Sequence, residues 1–136
     1  MAKREGFFPH DGVRYRFAVW ESEAAEAAPV VLLHGFAQSA ASWDGIAELL
    51  GRTRSVVALD LVGHGGSDRP EGADAYALGA QGEMLLAYLA SPVGVAALAA
   101  PGRSNGGSAS AAQGSRKPLV VGYSMGGRVA LAAARS

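Results

Sequence analysis

The chain has 136 residues, and its 12 basic side chains balance its 12 acidic ones. This length fits one domain, and zero net charge argues against a protein that binds nucleic acid or a membrane surface by electrostatic attraction. The absence of Cys excludes disulfides, thiolate metal sites and a Cys nucleophile. The amino terminus lacks the apolar stretch of a signal peptide, so we expect a cytoplasmic protein.

Four segments have the apolar patterns of β-strands. Alternation over residues 12–20 predicts a half-buried strand, whose apolar side carries Val13, Tyr15, Phe17 and Val19. Short, continuous apolar runs at 30–33, 55–59 and 118–121 predict strands that are buried on both faces.

Apolar residues at helical spacing lie between these strands. We expect a helix that Ser42 caps and Gly51 ends, a second helix over 76–90, and a third from about Met125 to the end of the chain. Strands that alternate with helices favour an α/β fold, with a mostly parallel sheet and flanking helices.

Residues 91–117 differ in character from the rest of the chain. They contain Pro92, Pro101 and a Gly- and Ser-rich stretch over 102–108. This composition predicts a low-complexity surface insertion within one partial domain over 1–136. A tolerated insertion explains the segment better than a functional lid, because surface loops accept added length at little cost in free energy.

The motif Gly122-Tyr123-Ser124-Met125-Gly126 lies between a predicted strand and a predicted helix. In that context G-x-S-x-G indicates a nucleophile elbow, a strained turn that raises a serine hydroxyl above the sheet. Glycine is needed on both sides because a Cβ there would collide with neighbouring backbone. The pattern predicts that Ser124 is catalytic; the alternative is a Gly-rich turn with an incidental serine.

A site for acyl transfer or enolate formation needs two backbone N–H groups directed at an oxyanion. We expect these donors to be Met125, which follows the serine, and Phe36, which follows His34-Gly35 at the end of the first buried strand. His34 could be a general base, or it could bond loop backbone and shape the oxyanion hole. Chain order favours the second role, because the base usually follows the serine in this architecture.

The segment Asp60-Leu-Val-Gly63-His64-Gly65 follows the next buried strand. Two glycines flank His64, which indicates a tight turn. Asp60 or His64 could belong to a catalytic triad. We favour structural roles for both, because they precede the serine and have local turn groups to bond.

Segments 33–36, 60–67 and 122–127 together resemble the α/β-hydrolase superfamily, in order and at suitable intervals. The resemblance covers the chain outside the insertion. It implies the N-terminal half of an α/β-hydrolase fold, truncated after the elbow helix. A serine at the elbow argues against haloalkane dehalogenases and epoxide hydrolases, which use Asp there.

More narrowly, residues 122–131 resemble the 2-succinyl-6-hydroxy-2,4-cyclohexadiene-1-carboxylate synthases of menaquinone biosynthesis. These lyases use the hydrolase triad to abstract a proton and eliminate pyruvate from an anionic cyclohexene precursor. The resemblance implies that Ser124 is catalytic, that Arg128 binds a carboxylate and that Tyr123 lines the pocket. Arg128 lies one helical turn beyond Ser124 and can hold a carboxylate bidentately, although it could instead pair with a structural carboxylate.

The superfamily places its acid and its histidine after the serine. Only 12 residues follow Ser124, and none is Asp, Glu or His. We therefore expect the chain alone to be inactive, unstable and prone to aggregation, with an exposed apolar edge on strand 118–121. A complementing C-terminal half is the expected partner.

Two other functions stay open. The chain could come from a carboxylic-ester hydrolase of the same superfamily, or it could be a non-catalytic fragment that binds a partner chain. The sequence contains neither a metal-ligand cluster nor a dinucleotide-binding fingerprint, so we expect no metal and no cofactor.

Overall fold

A five-stranded mixed sheet organises the molecule, which the computed structural model describes over residues 2–22, 27–99 and 117–136. Its strands are β1 (Ala2–His10), β2 (Val13–Glu21), β3 (Val30–Leu33), β4 (Val56–Leu59) and β5 (Leu119–Gly122). They lie in the order β1-β2-β4-β3-β5. β3 is parallel to β4 and β5, whereas β2 is antiparallel to β1 and β4. The α/β class predicted from the sequence is confirmed.

The first strand was not expected from the sequence. It pairs along its whole length with β2 through a two-residue turn at Asp11 and Gly12. Both residues have positive φ, 49° and 76°, as a type I′ hairpin turn requires. β2 itself is half-buried only in its first part: Arg14 is exposed, but Ala18 and Trp20 are buried like their apolar neighbours.

Helices cover both faces of the sheet. One face packs against α2 (Leu78–Ala90), α3 (Pro92–Leu98) and α4 (Met125–Ala134), and its core includes Val31, Leu59, Met84, Tyr88 and Val129. The other face packs against α1 (Asp44–Leu50), with Trp20, Leu32, Ala47 and Ala58 in its core. Residues 31 and 32 thus point into different cores, as alternation along a strand requires.

The start of α1 differs from the prediction. Ser42 does not cap the helix; it lies inside a 3₁₀ turn, Ala40–Trp43, that leads into α1. Trp43 occupies the cap position and makes no side-chain bond there. The Ser42 hydroxyl instead lies 3.5 Å from the amide nitrogen of Ser39, at the start of the 3₁₀ turn.

Part of the predicted insertion is helical. α3 begins directly after Ser91, whose hydroxyl accepts a hydrogen bond from the Gly94 amide at 3.0 Å. Gly94 packs so tightly against Tyr88 that a Cβ would collide with its carbonyl group. The remainder of the predicted insertion, 100–116, lies outside the described residues, as do 23–26.

β5 forms one edge of the described sheet. The side chains of Leu119 and Val121 are 51% and 44% exposed, so the strand is not buried on both faces as its apolar run predicts. Among the described residues, no helix is long and apolar enough to cross a membrane.

Candidate active site

Ser124 lies at the sharp turn between β5 and α4. Its backbone has φ 53° and ψ −113°, a conformation that a residue with a side chain rarely adopts. The strain persists because β5 is paired to β3 immediately before the turn and α4 packs against α2 immediately after it.

The two glycines of the motif allow this turn to close. A Cβ on Gly122 would collide with the backbone of Gly126. A Cβ on Gly126 would collide with the carbonyl oxygen of Leu33, at the end of β3. Gly126 therefore lets the first turn of α4 lie directly against the end of the neighbouring strand.

A cavity of about 350 Å³ opens at this turn. It is lined by Phe36, Leu78, Ser124, Met125 and Arg128. The structure thus brings the predicted serine, both predicted oxyanion donors and the predicted carboxylate-binding arginine to one cavity. No histidine or carboxylate among the described residues lines it.

The backbone N–H groups of Phe36 and Met125 are free to bind an acceptor. Met125 is the first residue of α4, so its N–H has no partner within the helix. Neither N–H donates in any turn or loop hydrogen bond between described residues. The Phe36 turn is held by two bonds, from the Gln38 amide to the Gly35 carbonyl (3.1 Å) and from the Gly35 amide to Gln38 Oε1 (3.0 Å).

His34 joins the loop after β3 to the loop after β4. Its Nε2 accepts a hydrogen bond from the Leu61 amide at 2.9 Å, which leaves Nδ1 protonated to donate to the Gly35 carbonyl at 2.8 Å. The ring is completely buried. Both ring nitrogens are therefore engaged with backbone, and His34 is not placed to act as the general base of Ser124.

His64, in the loop after β4, binds in turn to the backbone of the loop after β3. Its Nε2 accepts from the Ala37 amide at 3.1 Å, and its Nδ1 lies 2.9 Å from the Val62 carbonyl. Its ring also packs edge-on against Phe36, with ring centres 5.8 Å apart. Each of the two loops thus supplies a histidine that binds an amide of the other, and this pair holds the turn that carries Phe36.

The bonding of His34 requires a neutral ring, because a protonated Nε2 could not accept from Leu61. Burial lowers the pKa of His34 below its usual value, and the nearby His64 acts in the same direction. The Gly35 carbonyl and the Asp60 carboxylate oppose this shift. The two rings are 5.0 Å apart.

Asp60 anchors the loop after β4. Its buried carboxylate accepts hydrogen bonds from the amides of Ala40 (2.7 Å) and Gly66 (2.8 Å) and from the Arg16 guanidinium (3.1 Å). A Cβ on Gly65, whose φ is 52°, would collide with this carboxylate. Asp60 is fully occupied by these bonds and does not line the Ser124 cavity.

Arg128 has no carboxylate within 4.0 Å among the described residues, so the alternative of a structural ion pair finds no support there. The pocket-lining role of Tyr123 stays a prediction. Its ring lies against Gly35, where a Cβ would come within 3.0 Å of it, and the residue is absent from the lining of the cavity.

The sequence analysis missed two groups that shape the site. Leu78 lines the cavity from the start of α2, and Gln38 holds the Phe36 turn. The only signal for Gln38 is its place three residues after Gly35, where a side-chain amide can bond back to the turn. Nothing in the sequence indicates Leu78, because the contact depends on how α2 packs beside α4.

Comparisons with known proteins show the family to which this fold belongs. Residues 28–136 match the family model described as the alpha/beta hydrolase fold. Over 60 residues the chain is 45% identical to a putative 2-succinyl-6-hydroxy-2,4-cyclohexadiene-1-carboxylate synthase of Bacillus subtilis (strain 168). Over 48 residues it is 46% identical to a fluoroacetate dehalogenase of a Burkholderia species.

Among solved structures, 98% of the chain superposes on a thioesterase domain from the curacin biosynthetic pathway, with a TM-score of 0.70 and 25% identity. The matched parts are 44% and 35% of this chain for the synthase and the dehalogenase, respectively. The same matched segments make up 21% of the length of the synthase and 16% of the length of the dehalogenase. The superposition covers 42% of the thioesterase domain. The chain thus spans less than half the length of each of these three proteins.

Proposed function

The chain belongs to the alpha/beta hydrolase fold family, and we propose that it carries the serine, the oxyanion donors and the carboxylate anchor of a serine-dependent lyase. The proposed reaction eliminates pyruvate from a small, anionic cyclohexene carboxylate. One observation carries the proposal: Ser124, in its strained turn, shares a cavity with Phe36, Met125 and the unpaired Arg128.

Each group has a role in this reaction. The Ser124 oxygen, once a base has deprotonated it, takes a proton from a ring carbon of the substrate. The electron pair of that C–H bond moves into the ring, and the bond between a ring carbon and the enolpyruvyl oxygen breaks. The leaving group is the enolate of pyruvate, which takes up one proton on its methylene carbon and departs as pyruvate. The N–H groups of Phe36 and Met125 stabilise the oxyanion that develops, and Arg128 holds a carboxylate.

Two relatives support a carboxylate ligand at Arg128. The name of the Bacillus subtilis protein describes a carboxylate synthase, and the name of the Burkholderia protein describes an enzyme that acts on fluoroacetate, also a carboxylate. A guanidinium without a partner, one helical turn beyond the serine, suits such a ligand. Dehalogenation is not proposed, because the elbow of this chain carries a serine.

We also propose that the acid and base of the triad come from polypeptide outside these 136 residues. His34, His64 and Asp60 are engaged elsewhere, and the Ser124 cavity has no other titratable base among the described residues. A complementing C-terminal half would bring both groups to Ser124. A cytoplasmic location is part of the same proposal.

The second candidate is a hydrolase of carboxylic esters or thioesters. The superposition on a thioesterase domain favours it, and the same serine and oxyanion donors would serve an acyl-enzyme mechanism. An ester hydrolase has less need of a cation beside its serine, so Arg128 favours the lyase.

The test uses the complete gene product that contains this chain. We expect it to release pyruvate from the cyclohexene precursor and to leave p-nitrophenyl esters intact; the opposite result would establish the hydrolase instead. Ser124→Ala is expected to abolish turnover. Arg128→Ala is expected to raise KM about 10- to 100-fold, the loss of one charge-assisted contact.

Arg135→Ala provides the matched control for Arg128. Both residues are exposed arginines of the α4 segment, but Arg135 lies beyond the helix end and does not line the Ser124 cavity. It is expected to leave KM unchanged. Equal kinetic effects of the two substitutions would remove the carboxylate role of Arg128.

A further inference from the structure

A second cavity adjoins the Ser124 cavity and shares two of its walls. It measures about 620 Å³ and, like the first, is lined by Phe36 and Met125. Residues of the Phe36 turn and of the loop after β4 line it, its other walls include Arg69 and Tyr76, and Arg128 is not among its lining residues. Its lining among the described residues contains the arginine and no carboxylate.

Arg69 has no charged partner in this cavity. Its two terminal nitrogens are each 3.5 Å from the same carbonyl oxygen, that of Gly65, at the outer limit of a hydrogen bond. Asp68 pairs with Arg14 (3.9 Å), and among the described residues no carboxylate lies within 4.0 Å of Arg69.

Close packing and hydrogen bonds hold the residues around Arg69 in place. A Cβ on Gly63, whose φ is 77°, would come within 2.8 Å of the Tyr76 ring, so the ring lies directly on the loop. The Tyr76 hydroxyl donates to the Pro70 carbonyl at 2.9 Å, next to Arg69. Tyr76 is fixed in turn by Gln81, whose Nε2 donates to its carbonyl at 2.9 Å.

Gln81 adds a buried polar atom that has no hydrogen-bond partner among the described residues. The residue is 3% exposed and lines the cavity, and its Oε1 has no hydrogen-bond partner. A buried acceptor without a partner costs free energy, which a ligand that donates a hydrogen bond to it would recover. The cavity therefore combines an unpaired cation, an unpaired buried amide oxygen and two free backbone N–H groups.

We propose that Arg69 binds a second carboxylate of the substrate, on the opposite side of the Phe36 and Met125 amides from Arg128. A substrate whose reacting oxygen faces these two amides extends one carboxylate to Arg128 and the other to Arg69. The enzyme then selects dianionic substrates over monoanionic ones. This inference rests on the proposed function for the position of the reacting group, but its test measures binding alone.

The experiment measures dissociation constants by calorimetry for linear α,ω-dicarboxylates of four to eight carbons, each with its monomethyl ester as the matched monoanion. We expect at least one dicarboxylate to bind tenfold or more tightly than its ester. Arg69→Ala is expected to remove that advantage, and Arg69→Lys to retain part of it. Arg52→Ala, an exposed arginine that lines neither cavity, is the control and is expected to retain all of it.

Unchanged unfolding midpoints show that the variants are folded. Equal binding by Arg69→Ala and the unsubstituted protein, or no dicarboxylate that surpasses its ester, would overturn the proposal. Failure of the proposed function looks different. If dicarboxylates bind through Arg69 but the complete enzyme releases no pyruvate, the lyase assignment is wrong and the subsite stands.

Discussion

Two regions of the sheet have similar apolar strand sequences but differ in how deeply their strands are buried. The closed half consists of β3, β4 and the loops that follow them, 34–38 and 60–68, and every residue of its two strands is buried. The open half consists of β5, the Ser124 turn and α4, where Leu119, Val121 and Leu131 are exposed. The difference shows that burial here depends on the number of neighbours: β3 has a strand on each side, whereas β5 has one.

The site lies where the two halves meet. The closed half supplies Phe36 on a turn that two histidines hold, and the open half supplies Ser124, Met125 and Arg128. An apolar cavity of about 740 Å³ lies between α2, β5 and α4, and its lining includes Leu85, Val120 and Leu131 together with Ser124 and Arg128. The closed half thus positions the Phe36 N–H, and the open half carries the serine turn on the edge strand of the described sheet.

The largest expected effect comes from breaking the contact between the halves. Gly126→Ala introduces a Cβ that collides with the Leu33 carbonyl oxygen, so the free energy of unfolding should fall by about 3 kcal/mol or more. Gly79→Ala is the control, since no atom lies within 4 Å of its Cβ position on α2, and it should stabilise the protein by about 0.5–1 kcal/mol. Urea unfolding measures both values; equal midpoints would contradict the packing described here.

A matched pair of substitutions tests the contrast in burial. Val31→Thr places a hydroxyl in the core of the closed half and should cost about 1–3 kcal/mol. Val121→Thr makes the same change on the exposed face of β5 and should stay within about 0.5 kcal/mol. Similar losses at both positions would mean that the face of β5 is covered in solution.

The pH dependence of stability tests the histidine connection in the closed half. Because the pKa of His34 is lowered in the folded protein, the unfolded chain gains its proton first as the pH falls below about 6.5. Stability should therefore be complete above that pH and decline below it, toward the lower pKa of the folded form. His34→Gln, which keeps a donor and an acceptor but does not titrate, should reduce the decline.

Unfolding midpoints at pH 7.5 and pH 5 provide the comparison. An identical decline in the His34→Gln variant would show that His34 does not couple protonation to the fold.

The smallest effect on stability is expected on the surface of the open half. Leu131→Lys removes an apolar side chain that is 66% exposed, so the free energy of unfolding should change by less than about 0.5 kcal/mol. The soluble fraction of the isolated chain should nevertheless rise, because an exposed apolar patch promotes association. Light scattering at matched concentration measures this, and unchanged scattering would argue against aggregation through α4.

Much of the fold could be predicted from local patterns. The α/β class, four of the five strands, and the helices at 78–90 and 125–134 follow from apolar periodicity. β1 was not predicted because the consecutive charged residues Lys3, Arg4 and Glu5 interrupt the alternation of apolar and polar residues that marks a strand. Charged residues are common on edge strands. The Asp11-Gly12 pair was the available signal, since this dipeptide favours a tight hairpin turn.

α3 was also not predicted, because its residues lie in the segment whose composition favours a loop. The presence of Pro92 and Gly94 favours a loop when only the amino-acid composition is considered. Their order favours a helix, because Ser91 is a good N-cap residue and Pro92 is a good first helical residue. The position of Tyr123 and the second cavity could not be predicted at all. Both depend on loops from distant parts of the chain that meet only in the folded sheet, and no local pattern encodes such a meeting.

The most direct test of the account asks whether Ser124 is the reacting residue. Reading the coding sequence beyond codon 136 defines the natural gene product, which is then treated with a serine-reactive fluorophosphonate and analysed by peptide mass spectrometry. The account predicts one adduct, on the peptide that contains Ser124, and none in a Ser124→Ala variant of equal stability. A folded gene product that forms no adduct, or forms it on another residue, would contradict the account.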